Sequence, residues 1–462
     1  MDSACNRLLK EKFMSLRNAI TLPAIALFCL SPGLCADDSD NAPSYPQNVV
    51  YVHTNDYFSG QNSVLAYKRN PVSGALTRIG SFNTGGTGFQ NSTDALGPDD
   101  TDQEIVATPD HRFLYVTNQG SDTIAGFAIQ PDGSLKTLPG SPFPSGGVEP
   151  ASIGIDGLLL FVVNRGDQSG FSKGSAAPNY ASFAILPDGW LLRLPVPEPA
   201  LTLGAAPTQA LISPNGKLMF DTHFFENKFD NTGLPPFLPP FSSELHSYRI
   251  GLFGQLIPAA SIGVGKAPPP PAMPYLPFIL GLQAHPTKQI LYTGYVVSGF
   301  VATYSYDDDG NMTFVGATAT ASPISGICWF AISPDAKFMY TADAITNQVD
   351  VFSIADPLNP VDIEAVTLLG GKTPPHLSVF PTTPNLFDTN PFQLRTSPDG
   401  QFLFVVNHEV ADPIGGSVTG NALHVLKIAP NGTLTEVPTS PRYLTMDDGV
   451  PETVHPLGVV VF

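Results

Sequence analysis

Residues Thr108–Phe143 read TPDHRFLYVTNQGSDTIAGFAIQPDGSLKTLPGSPF, and this stretch decides the fold. A polar turn opens it, an apolar run ends at Asn118, a second apolar run follows a loop, and a second polar turn leads to a third strand. The same sentence recurs. SPDGQFLFVVNH (Ser397–His408) precedes ALHVLKIAPNGTLTEVPTSP, SPDAKFMYTADA (Ser333–Ala344) precedes QVDVFSI, and SPNGKLMFDTHF (Ser213–Phe224) is followed later by ELHSYRIGLFGQLIPA. Self-similarity at a period of roughly 50 to 60 residues, with four strands per repeat, predicts a β-propeller.

Working outward, repeats begin at Val49, Glu104, Pro150, Pro207, near Pro277, near Ile327 and at Pro391. The first repeat lacks the strand that opens the others (PASIGID, PTQALIS, PFQLRTS). The chain ends with such a strand, HPLGVVVF (His455–Phe462), and nothing follows it. The expected fold is therefore all-β, a seven-bladed propeller over 49–462 closed by pairing of the C-terminal strand with the first blade, which removes the open edges. Runs such as LLLFVVN and FLFVVN are nearly continuously apolar and too short for helices, as strands covered on both faces should be.

The rest of the composition is consistent with this. Among 462 residues, Gly (42) and Pro (47) are abundant, as many short strands need many turns. Forty acidic residues against 22 basic ones, a net charge of −18, argue against nucleic acid or an anionic membrane as partner. At the N-terminus Lys10, Lys12 and Arg17 precede the apolar run Ala19–Leu30 and then SPGLCA. This reads as a signal peptide over 1–36, too short to span a bilayer, followed by a flexible acidic leader over 37–48. Export to the periplasm or the medium is expected, with no membrane insertion after cleavage, as a monomer. Cleavage would leave Cys328 alone, a small core residue in ICWFAI, and no internal disulfide.

Strand direction sorts the loops. TPDH, GIDG, SPNG, HPTK, SPDA and SPDG join first to second strands, and QPDG, LPDG, DDDG and APNG join third to fourth, so these tight turns share one end. The other end takes the long connections, including 83–103, 165–178, 224–243, 262–276, 371–390 and 408–420. Function is expected there, because a rigid scaffold holds varied groups on loops. Residues before the inner strands (Glu149, Asn390, His455) and after the second strands (Asn118, Asn164, Arg165, His223, Asp343, His408, Glu409) reach that end. Glu149, Arg165, His408, Glu409 and His455 are the candidate catalytic set: a carboxylate base, an imidazole and a guanidinium for an oxyanion. Asn and Asp at such positions also serve simply to bind their own backbone in turns.

Other motifs carry less. GFSKG (Gly170–Gly174) matches a nucleophile elbow but lies in a Gly/Ser-rich loop without the strand and helix the elbow needs. Asp307, Asp308 and Asp309 sit in a tight turn without the spaced oxygens of a calcium loop. Asp99, Asp100, Asp102 and Glu104 form an acidic loop on the long-loop face, read as solvated or as a cation site. No metal or cofactor is expected.

The pattern S-P-D-G-x-F-L-[YF]-V-x-N, then P-[DN]-G-x-L, then G-S-P-F, resembles the seven-bladed propeller lactonases, which include bacterial 6-phosphogluconolactonase and fungal carboxymuconate cyclase. YVTN (Tyr115–Asn118) also spells the motif of YVTN-type surface propellers. The resemblance implies metal-independent hydrolysis of a lactone at one mouth of the ring. The phosphogluconolactonases carry P-H-x-H and G-P-R-H stretches. Here only Pro375-His376 corresponds, which directs the expectation to a neutral or weakly charged lactone or ester. The alternative is a non-catalytic exported propeller that binds a protein or glycan through its long-loop face.

Overall fold

The structure, a computed structural model, describes residues 45–58, 60–89, 101–166, 176–224, 243–263, 278–295, 299–321, 325–344, 346–369, 390–408, 421–451 and 453–462. Residues Tyr45–Phe462 form one compact unit. The signal segment, the leader as far as residue 44, GFSKG, Asp99, Asp100, Pro375-His376 and Glu409 all lie outside the described residues. Residues 45–48, read as the end of the leader, are hydrogen-bonded to blade one. The Asn48 carbonyl accepts from the Arg69 N–H at 2.8 Å, and the Gln47 carbonyl from Lys68 Nζ at 2.7 Å.

Seven antiparallel sheets make seven blades. Blade three shows the plan: Pro150–Asp156 is innermost, then Leu159–Asn164, Asn179–Ile185 and Leu191–Arg193 outward. The innermost strands adjoin one another in turn around a central channel. Blade one is completed from the far end of the chain, where Val459–Val461 pairs antiparallel with Val49–His53 in the register Val50–Val461, Tyr51–Val460 and Val52–Val459. The expected seven-bladed, strand-closed propeller is what forms.

Burial follows position in the blade. The second strands Phe113–Asn118, Leu218–His223 and Ile290–Tyr295 are buried at every residue, because a blade covers each face. The outer strand Val361–Thr367 alternates exposed and half-buried residues, as a strand at the rim must.

The recurring S/T-P-D/N turn has a specific chemistry. Ser397 Oγ donates to Asp399 Oδ1 at 2.5 Å and accepts the Phe402 N–H at 3.0 Å. Thr108 with Asp110 and Phe113, Ser213 with Asn215 and Leu218, and Ser333 with Asp335 and Phe338 repeat the arrangement. The side chains do for the turn what a strand neighbour would do elsewhere. Blades are also tied to each other. Tyr51 Oη donates to the Gly133 carbonyl (2.9 Å) in the QPDG turn of blade two, and Tyr115 Oη to the Gly189 carbonyl (2.7 Å) in the LPDG turn of blade three. Tyr292 reaches the Pro357 carbonyl of blade six at 2.7 Å. Inner strands crowd: at Gly281, φ is +66° in a bulge, and a Cβ would stand 1.8 Å from the Cys328 carbonyl oxygen.

Candidate functional site at the long-loop end

At the long-loop end of the second strands, one equivalent position is buried and polar all round the ring. Taking the aromatic or Phe position of the repeat as reference, Thr54, Asn118, Asn164, His223, Tyr295, Asp343 and Asn407 occupy equivalent places in blades one to seven, and all are buried. Asp343 accepts the Thr346 N–H of its own turn at 3.3 Å, as the turn-binding reading anticipated, whereas Asn118 bonds side chains of blade one. Asn118 Oδ1 accepts from Asn62 Nδ2 (2.9 Å) and Thr84 Oγ1 (2.6 Å), and Asp343 Oδ1 accepts the Gly326 N–H at 2.8 Å. Asn164 differs: neither its carbonyl oxygen nor its amide nitrogen has a hydrogen-bond partner among the described residues.

Asn164 sits beside two of the expected catalytic residues. Glu149 and Arg165 face each other across neighbouring strands of blade three, with the Arg165 N–H donating to the Glu149 carbonyl at 2.9 Å. Both side chains are buried. Glu149 is held at φ +60°, the left-handed region that a residue with a Cβ rarely occupies, and its N–H donates to Asp122 Oδ1 at 2.8 Å. Strain of this kind costs of order 1–3 kcal/mol and persists only where the surroundings enforce it, which is characteristic of functional positions.

The other expected residues are placed separately. His455 is half-exposed in the segment leading to the closing strand, in blade one, two blades from Glu149 around the ring. The backbone of His408 is at the same end of blade seven, paired with Asn390. Glu409 lies outside the described residues. Strand direction thus puts Glu149, Arg165, His408 and His455 at one end of the ring, and only Glu149 and Arg165 are brought together.

Two further groups lie at or below this level: one that the strand pattern signalled only through His223, and the acidic loop that the sequence offered as a cation site. Between blades three and four, Tyr180 Oη contacts Asp221 Oδ2 (2.8 Å), His223 Nε2 (3.0 Å) and Tyr248 Oη (3.0 Å). The His223 and His246 rings stack with centroids 4.0 Å apart. Burial raises the Asp221 carboxyl above its ordinary range against the pull of His223, and burial with Asp221 alongside raises Tyr180 well above its own. His223 was legible as a residue after a second strand; Tyr180, inside an apolar run, carried no signal.

The second group corrects the acidic-loop reading. Asp102 and Glu104 do not stand in solvent on the long-loop face; the segment Thr101–Glu104 crosses the central channel. The Thr101 carbonyl accepts from Trp329 Nε1 at 2.9 Å, the Gln103 carbonyl accepts the Ile153 N–H at 2.9 Å, and Asp102 pairs with Arg395 at 3.0 Å. Gln209 Nε2 donates to Gln103 Oε1 at 2.8 Å, and Glu104 bonds Gln393 and Thr101. Burial, with Asp102 nearby, pushes the Glu104 carboxyl up to about 7. The carboxylates are used in holding the segment to Arg395 and Gln393 of blade seven rather than in presenting oxygens to a cation. Nor does the Asp307–Asp309 turn present them: Asp307 accepts the N–H groups of Asp309 and Asn311, and Asp308 pairs with Lys217. Among the described residues no group of three or more His, Cys, Asp or Glu could hold a metal ion, and no helix is long and apolar enough to cross a membrane.

Comparison with known proteins bears on the whole ring. Residues 47–170, which cover blades one and two and the start of blade three, match the family model described as lactonase, seven-bladed β-propeller. No curated protein matches the chain. Among solved structures, the periplasmic gluconolactonase of Pseudomonas aeruginosa aligns at 16% identity and TM-score 0.58, over 90% of this chain and 99% of that one. A 6-phosphogluconolactonase candidate from Bacteroides fragilis aligns at 15% and 0.54, over 92% and 99%. A hypothetical selenium-binding protein from Sulfolobus tokodaii aligns at 16% and 0.61, over 90% and 94%. At such identities the structural likeness establishes the fold. The chain resembles the seven-bladed propeller lactonases.

Proposed function

We propose that the protein is an exported hydrolase of a neutral or weakly charged lactone or related ester, acting at the long-loop end of the ring. The observation that carries the reading is the Glu149–Arg165 pair: a carboxylate on an enforced left-handed backbone, bonded through its carbonyl to the strand that presents a guanidinium. The family-model match supplies the substrate class, and the Pseudomonas relative, named as a gluconolactonase, supports a sugar-derived or similar ring.

In this mechanism Glu149 takes a proton from water as the water oxygen attacks the lactone carbonyl carbon. Arg165 stabilises the resulting oxyanion, a part that His455, two blades away, does not share. Collapse of the tetrahedral intermediate breaks the ring C–O bond, and the leaving alkoxide takes up the proton, giving a hydroxy acid. Asn164, with its amide unclaimed among the described residues, is placed to orient the ligand. Export to the periplasm or the medium rests on the N-terminal basic and apolar segments.

The test is turnover on a panel of uncharged lactones with Glu149→Gln and Arg165→Met beside the wild type. Each variant should lose about 10²-fold or more in kcat, the size of a lost acid–base or oxyanion contribution, while retaining cooperative melting. Full turnover in both variants would reject the assignment. No turnover by the wild type on any lactone would leave the second reading, a propeller that binds a protein or glycan, which the concentration of long connections at this end favours.

A further inference from the structure

The segment Thr101–Glu104 is bonded to inner strands on opposite sides of the ring. On one side the Gln103 carbonyl accepts the Ile153 N–H of blade three at 2.9 Å, and the Asp102 N–H donates to the Thr208 carbonyl of blade four at 3.4 Å. On the other, the Thr101 carbonyl accepts from Trp329 Nε1 of blade six at 2.9 Å, and Asp102 pairs with Arg395 of blade seven at 3.0 Å. The segment therefore bars the channel, and a cavity of about 420 Å³ adjoins it on the tight-turn side at Asp102 and Gln103. Glu104 is the weak point of this bar. Its side chain is fully buried, and its hydrogen-bond donors, Thr101 Oγ1 and Gln393 Nε2, are neutral. The charged side chains at the segment are Asp102 itself and Arg395, which is committed to Asp102. The other elements packed there offer uncharged groups: the Ile153 backbone, the Gln209 amide and the Trp329 indole. An ionised Glu104 would thus be a buried anion with no cation of its own, beside a second carboxylate, and both features disfavour it.

We propose that Thr101–Glu104 is a proton-controlled strap, which closes the channel while Glu104 is neutral and is released when Glu104 ionises, joining the two mouths of the ring. In the closed form burial, with Asp102 nearby, pushes the carboxyl up to about 7. In a released segment, where the carboxylate meets water in the adjoining cavity, it would titrate near its ordinary 4.5. The closed form is then fully favoured below 4.5 and loses ground as pH rises toward 7. Above that both forms are ionised and the balance levels off. The inference does not depend on lactone hydrolysis.

The test is hydrogen–deuterium exchange of the full chain, read by mass spectrometry from pH 5 to 8 and corrected for the intrinsic pH dependence of exchange. The amides of Asp102 and Ile153, which donate from and to the strap, report its release. Their protection should fall by up to about tenfold per pH unit between pH 5 and 7 and level off above. The strand Thr123–Ile129 of blade two, which exchanges only with wider unfolding, should stay better protected at every pH. Glu104→Gln keeps the shape of the neutral acid, so it should hold the strap closed and flatten the profile. If that variant does not fold, Asp102→Asn serves instead. Removing the neighbouring negative charge should move the fall in protection to lower pH. Protection that is flat with pH in the wild type, an unchanged slope in Glu104→Gln, an unshifted profile in Asp102→Asn, or a strap as well protected as Thr123–Ile129 would overturn the proposal.

Discussion

Asp350 shows how burial of a single carboxyl sets a pH response. It lies on the strand Gln348–Ser353, fully buried, and neither oxygen has a hydrogen-bond partner among the described residues. Burial, with the negative charges of Asp343 and Asp362 nearby, pushes its carboxyl up to about 8. The folded protein therefore holds a proton that the unfolded chain, titrating near 3.8, has released. Stability from this group is fully present below the unfolded value and falls as pH rises toward 8, by at most about 1.4 kcal/mol per unit. Glu104, raised to about 7, acts in the same sense. His53, lowered to about 3 by burial, acts in the opposite sense below its ordinary 6.5. Between pH 6.5 and 8 the carboxyls act alone of these three. Thermal melts should show stability falling across that window, and Asp350→Asn should flatten the slope while raising the melting temperature most at pH 8. An unchanged slope in the variant would mean that Asp350 is ionised throughout.

At the scale of elements, the repeat is a set of local devices that each solve a backbone problem. The S/T-P-D/N turn satisfies a strand-opening N–H with a hydroxyl, so Ser397→Ala should destabilise by about 1 kcal/mol, read as a shift in denaturant midpoint. The tyrosine in FLYVTN is an inter-blade tie, not only core volume. Tyr115→Phe keeps the ring and leaves the Gly189 carbonyl without its donor, for a cost of roughly 1–1.5 kcal/mol. Phe161, Phe220 and Phe404 occupy the same register without a hydroxyl, so introducing the reverse change there should bring no comparable gain unless a carbonyl is in reach. Neither substitution should alter turnover, because both devices lie at the tight-turn end.

For the whole molecule, closure is the cooperative element. Leu457, Val459 and Phe462 are buried, and each contributes about 1.5–3 kcal/mol by removal from water, an upper estimate. Val460 and Val461 are only half-buried: each packs against a hydrophobic cluster on one side and borders the channel cavity on the other. Asp399 of blade seven adds a 2.7 Å ion pair to Arg69 of blade one across the same seam. The sum rivals a typical total of about 5–15 kcal/mol. Deleting Val454–Phe462 should therefore abolish cooperative melting, and a truncated protein that melts as the wild type does would refute closure. Cys328 is buried and the ring is held by packing, so reducing agent should leave the melting temperature of the chain over 45–462 unchanged.

What the sequence determined by itself is the ring. Turn motifs, strand lengths and the displaced closing strand are local, repeated properties, and seven copies of one pattern leave a single way to bury them all. Strand direction likewise assigns Glu149, Arg165, His408, Glu409 and His455 to one end from the sequence, Glu409 lying outside the described residues. The tertiary structure alone decided which side chains meet. Glu149 and Arg165 adjoin because their strands are neighbours, whereas His455 stands two blades away. Asp102 and Glu104, acidic residues that read as solvated, enter the channel because Trp329, Gln393, Arg395 and Ile153 offer them and their backbone partners there. Those partners lie fifty to nearly three hundred residues away in the chain. Desolvation depends on what closes over a group from every side, and no local pattern records that.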